Sequence, residues 1–424
     1  MVEYYKGGKT WEDSVRRIFP EFADKPFATK TITFVVTEQC NMRCTYCYQT
    51  GKNNNRMTRE VAFKAIDTIL DQNKMGGYLD PQETPGVILD FIGGEPLLEI
   101  ELIEDIVDYF RWRAFELNHP WLDCYMFSFS SNGLLYFDKN VQRFLAKNDG
   151  RVSLGITIDG NKTLHDACRV DIAGQGTYDR VSKAIKDLVA KGRLKSTKVT
   201  IAPENVAYVK DAILHLFDLG LTDIHANCVF EEGWEKKHAR ELYRQMVALA
   251  DAMIEKKLYE TRYVSLFSEM IGQPMDPAEN GNWCGGDGKM LAIGPDGRLY
   301  PCLRYMSYSL ESGRDPLVIG DIECGIYADC PELDRLKSIT RRSQSTDECF
   351  NCPVASGCAW CTAYNYDKFG DFDKRATFIC VMHKARVLAN HYYWNKLGIP
   401  YELHLSEDDI AWLTEEGDED GVCH

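Results

Sequence analysis

Residues 40–47 read Cys-Asn-Met-Arg-Cys-Thr-Tyr-Cys and place three thiols within one short loop, directly after a β-branched run at 31–36. A loop imposes no regular geometry on its side chains, so the three thiols can converge on one metal centre. Four-iron clusters normally take four protein thiolates, and three would leave one iron open to another ligand. A structural zinc site with a fourth ligand from elsewhere is the alternative. The spacing, at the end of a first strand, favours the iron–sulfur cluster.

Strand and helix patterns alternate from about residue 31 to residue 257. The runs typical of strands are 31–36, 87–92, 125–129, 152–158, 198–201 and 223–229. The helical patterns lie near 61–70, 102–110, 139–147, 179–191, 206–219 and 238–257. Six such units predict an α/β fold with a parallel sheet, and six rather than eight predict a partial (β/α)6 barrel of the TIM type. Ligands of such folds lie at the C-terminal ends of the strands.

Three further motifs follow the next three strands. They are Gly93-Gly94-Glu95-Pro96, Ser130-Ser131-Asn132-Gly133 and Ile156-Thr157-Ile158-Asp159-Gly160. Together with the three cysteines they resemble the radical S-adenosylmethionine (SAM) superfamily over roughly residues 31–230. In that family three cysteines hold a [4Fe–4S] cluster, SAM chelates the fourth iron, and reductive cleavage of SAM gives a 5′-deoxyadenosyl radical that abstracts a substrate hydrogen.

The resemblance implies a role for each motif. The implied cluster ligands are Cys40, Cys44 and Cys47. The implied SAM-binding residues are Tyr46, Gly93, Gly94, Glu95, Ser130, Asn132, Thr157, Asp159 and Arg169. Tyr46 would lie near the adenine, Glu95 would contact the amino group, and Arg169 would pair with the carboxylate. The alternatives are a core position for Tyr46 and a surface position for Arg169.

A second group of cysteines resembles the SPASM extension of radical SAM proteins, which carries two auxiliary iron–sulfur clusters. Its members are Cys284, Cys302, Cys349, Cys352, Cys358, Cys361 and Cys380. The resemblance implies one cluster on Cys284, Cys302 and Cys361 and another on Cys349, Cys352, Cys358 and Cys380. Only two residues separate Cys358 from Cys361, where the family usually has three.

Two questions about this second group stay open. A pair of structural zinc sites would suit the same Cys-x-x-Cys spacings. Cys324 or Cys330 is a possible fourth ligand of the first auxiliary cluster, although each also reads as an ordinary small buried side chain. If neither ligates, one iron would remain free for a substrate thiolate. Between the first two ligands, Gly294-Pro295-Asp296-Gly297 predicts a hairpin turn.

Composition narrows the function. The 424 residues contain 49 Lys and Arg against 64 Asp and Glu, a net charge of −15 that predicts no nucleic-acid partner. No apolar run reaches the ~18 residues of a membrane span, and no secretory h-region is visible, so we expect a cytoplasmic protein with no membrane partner. The predicted layout is 1–30 N-terminal segment, 31–262 radical SAM core, 263–395 SPASM domain and 396–424 acidic, solvated tail.

SPASM proteins act mostly on peptides or proteins. The resemblance therefore predicts an enzyme that abstracts hydrogen from a ribosomally made, Cys-containing peptide and forms a thioether or other cross-link, with a flavodoxin- or ferredoxin-type electron donor. The alternative is a formylglycine-forming, sulfatase-maturase-like enzyme. Such enzymes carry Asp directly after the second SPASM cysteine as a base, and Leu303 here cannot accept a proton. A non-catalytic electron carrier is a third class, but it needs no SAM pocket.

Peptide capture has weaker signals. Only 39 residues precede Cys40, fewer than the ~80 of a leader-binding domain, so capture is expected to use the barrel, the SPASM region or a partner. The candidate contact residues are Glu231, Glu232, Trp234, Tyr305 and Tyr308. Surface decoration is the simpler interpretation of any one of them.

Overall fold

The computed structural model describes residues 2–6, 29–231, 233–282 and 284–415. The strands are β1 Thr29–Thr37, β2 Gly86–Gly93, β3 Tyr125–Ser131, β4 Val152–Ile156, β5 Ser196–Ile201, β6 Asp223–Cys228, β7 Tyr263–Val264, β8 Met290–Ile293, β9 Arg298–Tyr300, β10 Gly320–Asp321 and β11 Gly325–Ile326. The helices are α1 Arg59–Leu70, α2 Gln72–Met75, α3 Ile100–Glu116, α4 Lys139–Lys147, α5 Lys162–Cys168, α6 Tyr178–Ala190, α7 Val209–Asp218, α8 Lys236–Glu255, α9 Pro331–Ser338, α10 Asp347–Phe350, α11 Thr362–Phe369, α12 Cys380–Lys396 and α13 Glu407–Thr414. The predicted alternation of strands and helices is confirmed.

Strands β1 to β4 pair in parallel and in chain order, with at least one helix between successive strands. The strand period of two gives this sheet two unlike faces. Buried aromatic rings in register form the face that packs under the helices, namely Phe34, Phe91 and Phe129. Small polar residues in register form the inner face, namely Thr33, Asp90, Ser128 and Ser153. A closed barrel fills its interior with bulky branched side chains, so this small polar row leaves the interior open.

Hydrogen bonding between the strands is interrupted between β4 and β5. Strands β5, β6 and β7 form a separate parallel sheet, and the hydroxyl of Thr197 donates to the carbonyl of Ile156 across the gap at 2.8 Å. The partial α/β barrel is confirmed, but its strands form two sheets rather than the single sheet expected. A threonine side chain can bridge such a gap where the backbones have diverged too far to pair.

The C-terminal region adds an unpredicted strand to the barrel. Strand β8 pairs in parallel with β1, on the side of β1 opposite β2. Strands β8 and β9 form the predicted hairpin, and Gly297 in the turn has φ +82°, a conformation that favours glycine. The region predicted as SPASM therefore shares a continuous eight-stranded sheet with the core.

Two C-terminal helices differ from the sequence-based expectation. Helix α12 begins at Cys380 and ends at Lys396, one residue past the predicted domain boundary at 395. The acidic run after Ser406 is largely exposed, as predicted, but it begins helix α13, with Ser406 accepting the N–H of Asp409 at 3.1 Å. Carboxylates stabilise the first turn of a helix, and Asp409 also pairs with Lys384 at 2.7 Å.

The remaining acidic residues, 416–424, and most of the predicted N-terminal segment lie outside the described residues. No helix in the described ranges is long and apolar enough to cross a membrane.

Candidate cluster and cofactor site

The three-cysteine loop is held in place by backbone pairing with a distant segment. The N–H groups of Arg43 and Thr45 donate to the carbonyls of Val170 and Cys168 at 2.8 and 3.0 Å. Cys40, Cys44 and Cys47 line a cavity of about 660 Å³. Burial raises the pKa of Cys44, and the positive charge of Arg169 partly opposes this rise. Burial also raises the pKa of Cys40.

The two glycines of the second motif allow the β2 loop to lie directly against the cysteine loop. The N–H of Gly94 donates to the carbonyl of Thr37 at 3.0 Å, and the N–H of Glu95 to that of Gln39 at 2.8 Å. A Cβ on Gly94 would lie 2.1 Å from the carbonyl oxygen of Gln39, and one on Gly93 would lie 2.2 Å from that of Thr37. Both positions therefore require glycine for close backbone approach.

A Gly94→Ala variant is expected to lose stability by about 3 kcal/mol, because backbone atoms rather than a flexible side chain oppose the added methyl group. Urea unfolding of the apoprotein measures this loss. Gly281→Ala is the matched control, since its Cβ would meet nothing within 4 Å, and a change within about 0.5 kcal/mol is expected. Equal stability of the two variants would contradict the close approach.

The carboxylate of Glu95 joins the ends of two strands. It accepts hydrogen bonds from the hydroxyl of Ser131 and the N–H of Asn132, both at 2.8 Å, and from the N–H of Leu97 at 3.1 Å. Burial raises the pKa of Glu95, and these hydrogen bonds oppose the rise. An ionised carboxylate accepts about four hydrogen bonds, so one acceptor position remains for a ligand. The amide of Asn132 also donates to Asn41 inside the cysteine loop at 2.7 Å.

Tyr46, Asp159 and Arg169 form a buried charged cluster beside the loop. The hydroxyl of Tyr46 donates to Asp159 and accepts from the guanidinium of Arg169 at 2.7 Å. Burial lowers the pKa of Arg169, but the charges of Tyr46 and Asp159 outweigh burial and raise it overall. Arg169 is 7% exposed, so the surface-arginine alternative is wrong. Its Nε atom is buried without a hydrogen-bond partner, which suits a site that accepts a further anion.

His165 links this cluster to the chain around it. Its Nδ1 accepts from the N–H of Asp159 at 3.4 Å, and its Nε2 contacts the hydroxyl of Thr177 at 3.0 Å. That hydroxyl donates its only hydrogen to the carbonyl of Arg169 at 2.9 Å, so it can only accept a hydrogen bond from His165. Nε2 is therefore the protonated nitrogen. Burial lowers the pKa of His165 to about 3, which keeps the ring neutral.

The remaining predicted SAM-binding residues lie at the same strand ends. Ser130 is exposed at the end of β3, whereas its neighbour Ser131 is the serine that bonds Glu95. Thr157 follows β4, and its N–H donates to the carbonyl of Ser131 at 3.1 Å. The structure therefore brings the predicted set together and adds Ser131, which side-chain alternation along β3 would have identified as the buried serine.

Cys284, Cys302 and Cys361 lie close together in the C-terminal region. Burial raises the pKa of Cys302 to about 12, and the charges of Cys361 and Cys284 raise it further. Cys361 caps helix α11, where its sulfur accepts the N–H of Tyr364 at 3.4 Å. The sulfur of Cys284 is 3.2 Å from the hydroxyl of Thr362. We refer to these three cysteines as the auxiliary triad.

Four other cysteines form a second group beside it. Burial raises the pKa of Cys380 to about 11, and the charges of Cys358, Cys349 and Cys352 act in the same direction. Arg375 opposes the rise, and it stacks on Trp360 with 4.6 Å between its guanidinium carbon and the ring centroid. The structure thus groups the four cysteines that the resemblance assigned to the second auxiliary cluster.

The two open candidates for a fourth ligand lie elsewhere. Cys324 is exposed, and its N–H donates to Asp321 at 2.8 Å. Cys330 belongs to the main hydrophobic core of the barrel, whereas Cys302 and Cys361 pack on a separate cluster around Tyr305.

Tyr48 and Arg304 lie between the first cysteine loop and the auxiliary triad. Burial raises the pKa of Tyr48, and the positive charge of Arg304 opposes this rise. The charges of Cys47 and Cys302 add to it. Arg304 lies 4.9 Å from the ring of Tyr48 and pairs with Glu231 at 2.5 Å. The sequence analysis did not identify Tyr48 or Arg304. Tyr48 directly follows Cys47, and Arg304 lies two residues after Cys302.

The predicted aromatic contact residues are not free to capture a peptide. Trp234, Tyr305 and Tyr308 are 8%, 0% and 2% exposed, and the indole of Trp234 donates to the carbonyl of Val229 at 3.0 Å. Their prediction as surface contacts is therefore wrong, because large aromatic side chains stabilise the fold by burying a large apolar area. Glu231 is held by Arg304, and Glu232 lies outside the described residues.

The donor sets suit iron–sulfur clusters. Each predicted set consists of thiols alone, which is the ligand type that such clusters take. In the described ranges, no three His, Cys, Asp or Glu side chains converge tightly enough for a single metal ion. A cluster is bound through separate irons, so its ligands lie farther apart than those of one ion.

Comparisons with known proteins agree with this geometry. Residues 34–216 match the family model of the radical SAM superfamily. The chain is 24% identical over 370 residues to a cysteine-type anaerobic sulfatase-maturating enzyme of Clostridium perfringens strain 13, covering 81% of this chain and 91% of that enzyme. It is 24% identical over 278 residues to the antilisterial bacteriocin subtilosin biosynthesis protein AlbA of Bacillus subtilis strain 168, covering 64% of this chain and 54% of AlbA.

Two solved structures share the fold. Native anSMEcpe with bound AdoMet has a TM-score of 0.65 at 18% identity, over 87% of this chain and 97% of that chain. Streptococcus suis SuiB bound to precursor peptide SuiA has a TM-score of 0.56 at 13% identity, over 89% of this chain and 84% of SuiB. A radical SAM domain implies a [4Fe–4S] cluster and SAM, and the Cys-rich C-terminal region fits auxiliary clusters. Residues 34–216 are therefore a radical SAM domain, and the homologues of the chain include sulfatase-maturating and bacteriocin-biosynthesis enzymes.

Proposed function

We propose that this protein is a peptide maturase that abstracts hydrogen from a ribosomally made, Cys-containing peptide and forms a thioether or other cross-link. One observation carries the proposal. Arg304, two residues after Cys302, lies 4.9 Å from the ring of Tyr48, which directly follows Cys47, and this contact supports a site where the first cysteine loop adjoins the auxiliary triad. A substrate held there would contact the radical source on one side and an electron acceptor on the other.

The residues of this space have complementary proposed roles. Cys40, Cys44 and Cys47 would hold the SAM-binding cluster, which with SAM bound supplies the 5′-deoxyadenosyl radical. Arg169 would bind the SAM carboxylate through the Nε atom that lacks a partner. Glu95 would offer its remaining acceptor position to the SAM amino group. The other predicted contacts are Tyr46, Gly93, Gly94, Ser130, Asn132, Thr157 and Asp159.

Outside this space, we propose core and SPASM domains at 31–262 and 263–395, working in the cytoplasm with a flavodoxin- or ferredoxin-type electron donor. A reducing compartment keeps sixteen cysteines available as ligands. SuiB, which shares the fold, is described with a precursor peptide bound, and this supports a peptide substrate here.

Formylglycine formation is the second candidate, supported by the long match to a sulfatase-maturating enzyme. Leu303 stands against it. The side chain packs on an apolar cluster that includes Tyr300 and Met306 and cannot accept a proton. Glu231, an acidic side chain beside Arg304, is paired with that arginine at 2.5 Å.

Mass spectrometry tests the proposal. The protein is co-expressed anaerobically with each short Cys-containing reading frame adjacent to its gene, and the peptides are analysed after trypsin and thiol alkylation. We expect a peptide that has lost two hydrogen atoms per link and whose linked cysteine no longer reacts with alkylating reagent. An aldehyde that reacts with a hydrazide would support formylglycine formation instead. SAM cleavage without modification of any such peptide would contradict both functions.

A further inference from the structure

We propose that Lys198 binds a carboxylate of the substrate peptide, so that the modified segment carries an Asp or Glu next to the reacting residue. This inference rests on the proposed function and deepens it, since it names a charge that the peptide must present.

Lys198 faces the open interior of the barrel. Alternate residues of β5, Thr197, Val199 and Ile201, are buried, and the latter two belong to the main core under the helices. The period of two directs Lys198 to the opposite side. It stands in register with His225 of β6, which is also exposed. The charges that act on Lys198 are those of Arg304, Glu231 and Asp159, which border the space between the two thiol sets.

No carboxylate in the described residues lies within ion-pair distance of Lys198. The two acidic groups that act on it are engaged elsewhere, since Glu231 pairs with Arg304 at 2.5 Å and Asp159 accepts from Tyr46 and lies 4.0 Å from Arg169. Burial lowers the pKa of Lys198, and the charge of Arg304 lowers it further. An incoming carboxylate would oppose both effects and stabilise the ammonium form.

The surrounding field favours the same ligand. The whole chain has a net charge of −15, yet Lys198 has no ion-pair partner among the described residues. A positive side chain without such a partner attracts a group of the opposite charge. In an unmodified ribosomal peptide that charge is a carboxylate. The carboxylate of SAM is the other group that could bind Lys198. Measuring SAM affinity alongside peptide selection distinguishes the SAM carboxylate from a peptide carboxylate.

The test is a selection from a random displayed library of twelve-residue peptides, each with one fixed cysteine, on the anaerobically reconstituted holoenzyme with SAM. We expect Asp and Glu to be enriched about tenfold at one position relative to the cysteine, the size of one charge-assisted bond. Lys198→Met should remove this enrichment, and Lys198→Glu should select Lys or Arg at the same position. Lys183→Met, an exposed lysine on α6, is the matched control and should behave as wild type.

Iron content and SAM affinity are measured for every variant, and both should match wild type. No acidic enrichment on wild type, or enrichment that Lys198→Met retains, would overturn the inference while leaving the proposed function standing. SAM binding weakened about tenfold or more in Lys198→Met would assign the lysine to the SAM carboxylate and also overturn it. If wild type cleaves SAM but selects no peptide above the bare matrix, the proposed function fails and this inference fails with it.

Discussion

A Cys44→Ala variant is expected to lose SAM cleavage entirely, with 5′-deoxyadenosine at the level of a no-enzyme control. Cys44 is one of three thiols on a loop whose backbone is tied to residues 168–170, so its removal leaves only two of the three predicted ligands in place. Iron should fall from about twelve to about eight atoms per chain, because the other seven predicted ligands lie in the C-terminal region.

Cys168→Ala is the matched control for this loss. Cys168 is a buried cysteine whose carbonyl accepts from the loop, but its thiol is not among the predicted ligands. It should retain both full iron content and SAM cleavage. Normal 5′-deoxyadenosine formation by Cys44→Ala, or loss of all iron by that variant, would contradict the assignment of the first cluster.

Replacement of Cys361 is expected to stop peptide cross-linking while SAM cleavage continues. Cys361 lies at the start of helix α11 and is not part of the cysteine loop at 40–47, so its loss should spare radical formation. In cross-linking, the radical takes one hydrogen atom from the peptide, and bond formation then releases one proton and one electron. The peptide product cannot form unless a group accepts that electron. The measurement compares 5′-deoxyadenosine with cross-linked peptide in the same anaerobic reaction.

Two variants separate ligation from folding at this position. Cys361 also caps α11, and losing a cap costs about 1 kcal/mol. Cys361→Ser restores a capping oxygen but is a poor iron ligand, so it should behave like Cys361→Ala. If Cys324→Ala or Cys330→Ala instead destroyed the same cluster, that cluster would have four protein ligands. Cross-linking through a thiol bound at an open iron would then be ruled out.

Local patterns predicted most of the barrel because each strand and helix carries its own period. Helix α1 shows how local this is, since the hydroxyl oxygen of Thr58 accepts the N–H of Val61 at 3.2 Å and caps the start of the helix. The motif residues were predictable for the same reason, since each lies at the end of a strand whose position the pattern defines. What the sequence pattern did not reveal depends on partners far away in the chain.

Three examples show the physical limit. Strand β8 is only four residues long and pairs with β1 across more than 250 residues, a contact that no local signal announces. Lys198 is an ordinary strand lysine in the sequence, and only the pairing of β5 with β6 shows which face of the sheet it occupies. Trp234 and Tyr305 looked adhesive in isolation, whereas tertiary packing buries them both.

The pairing of β8 with β1 bears on how such enzymes can be recombined. A designer who cuts the chain at residue 262 to exchange the auxiliary region would leave β1 with a row of unpaired N–H and C=O groups, a template for aggregation. A chimera should therefore keep the segment up to β9 from the barrel donor and join the foreign sequence after it. The hydrogen bonds between β1 and β8 join the two regions, so the useful crossover point lies inside the region predicted as SPASM.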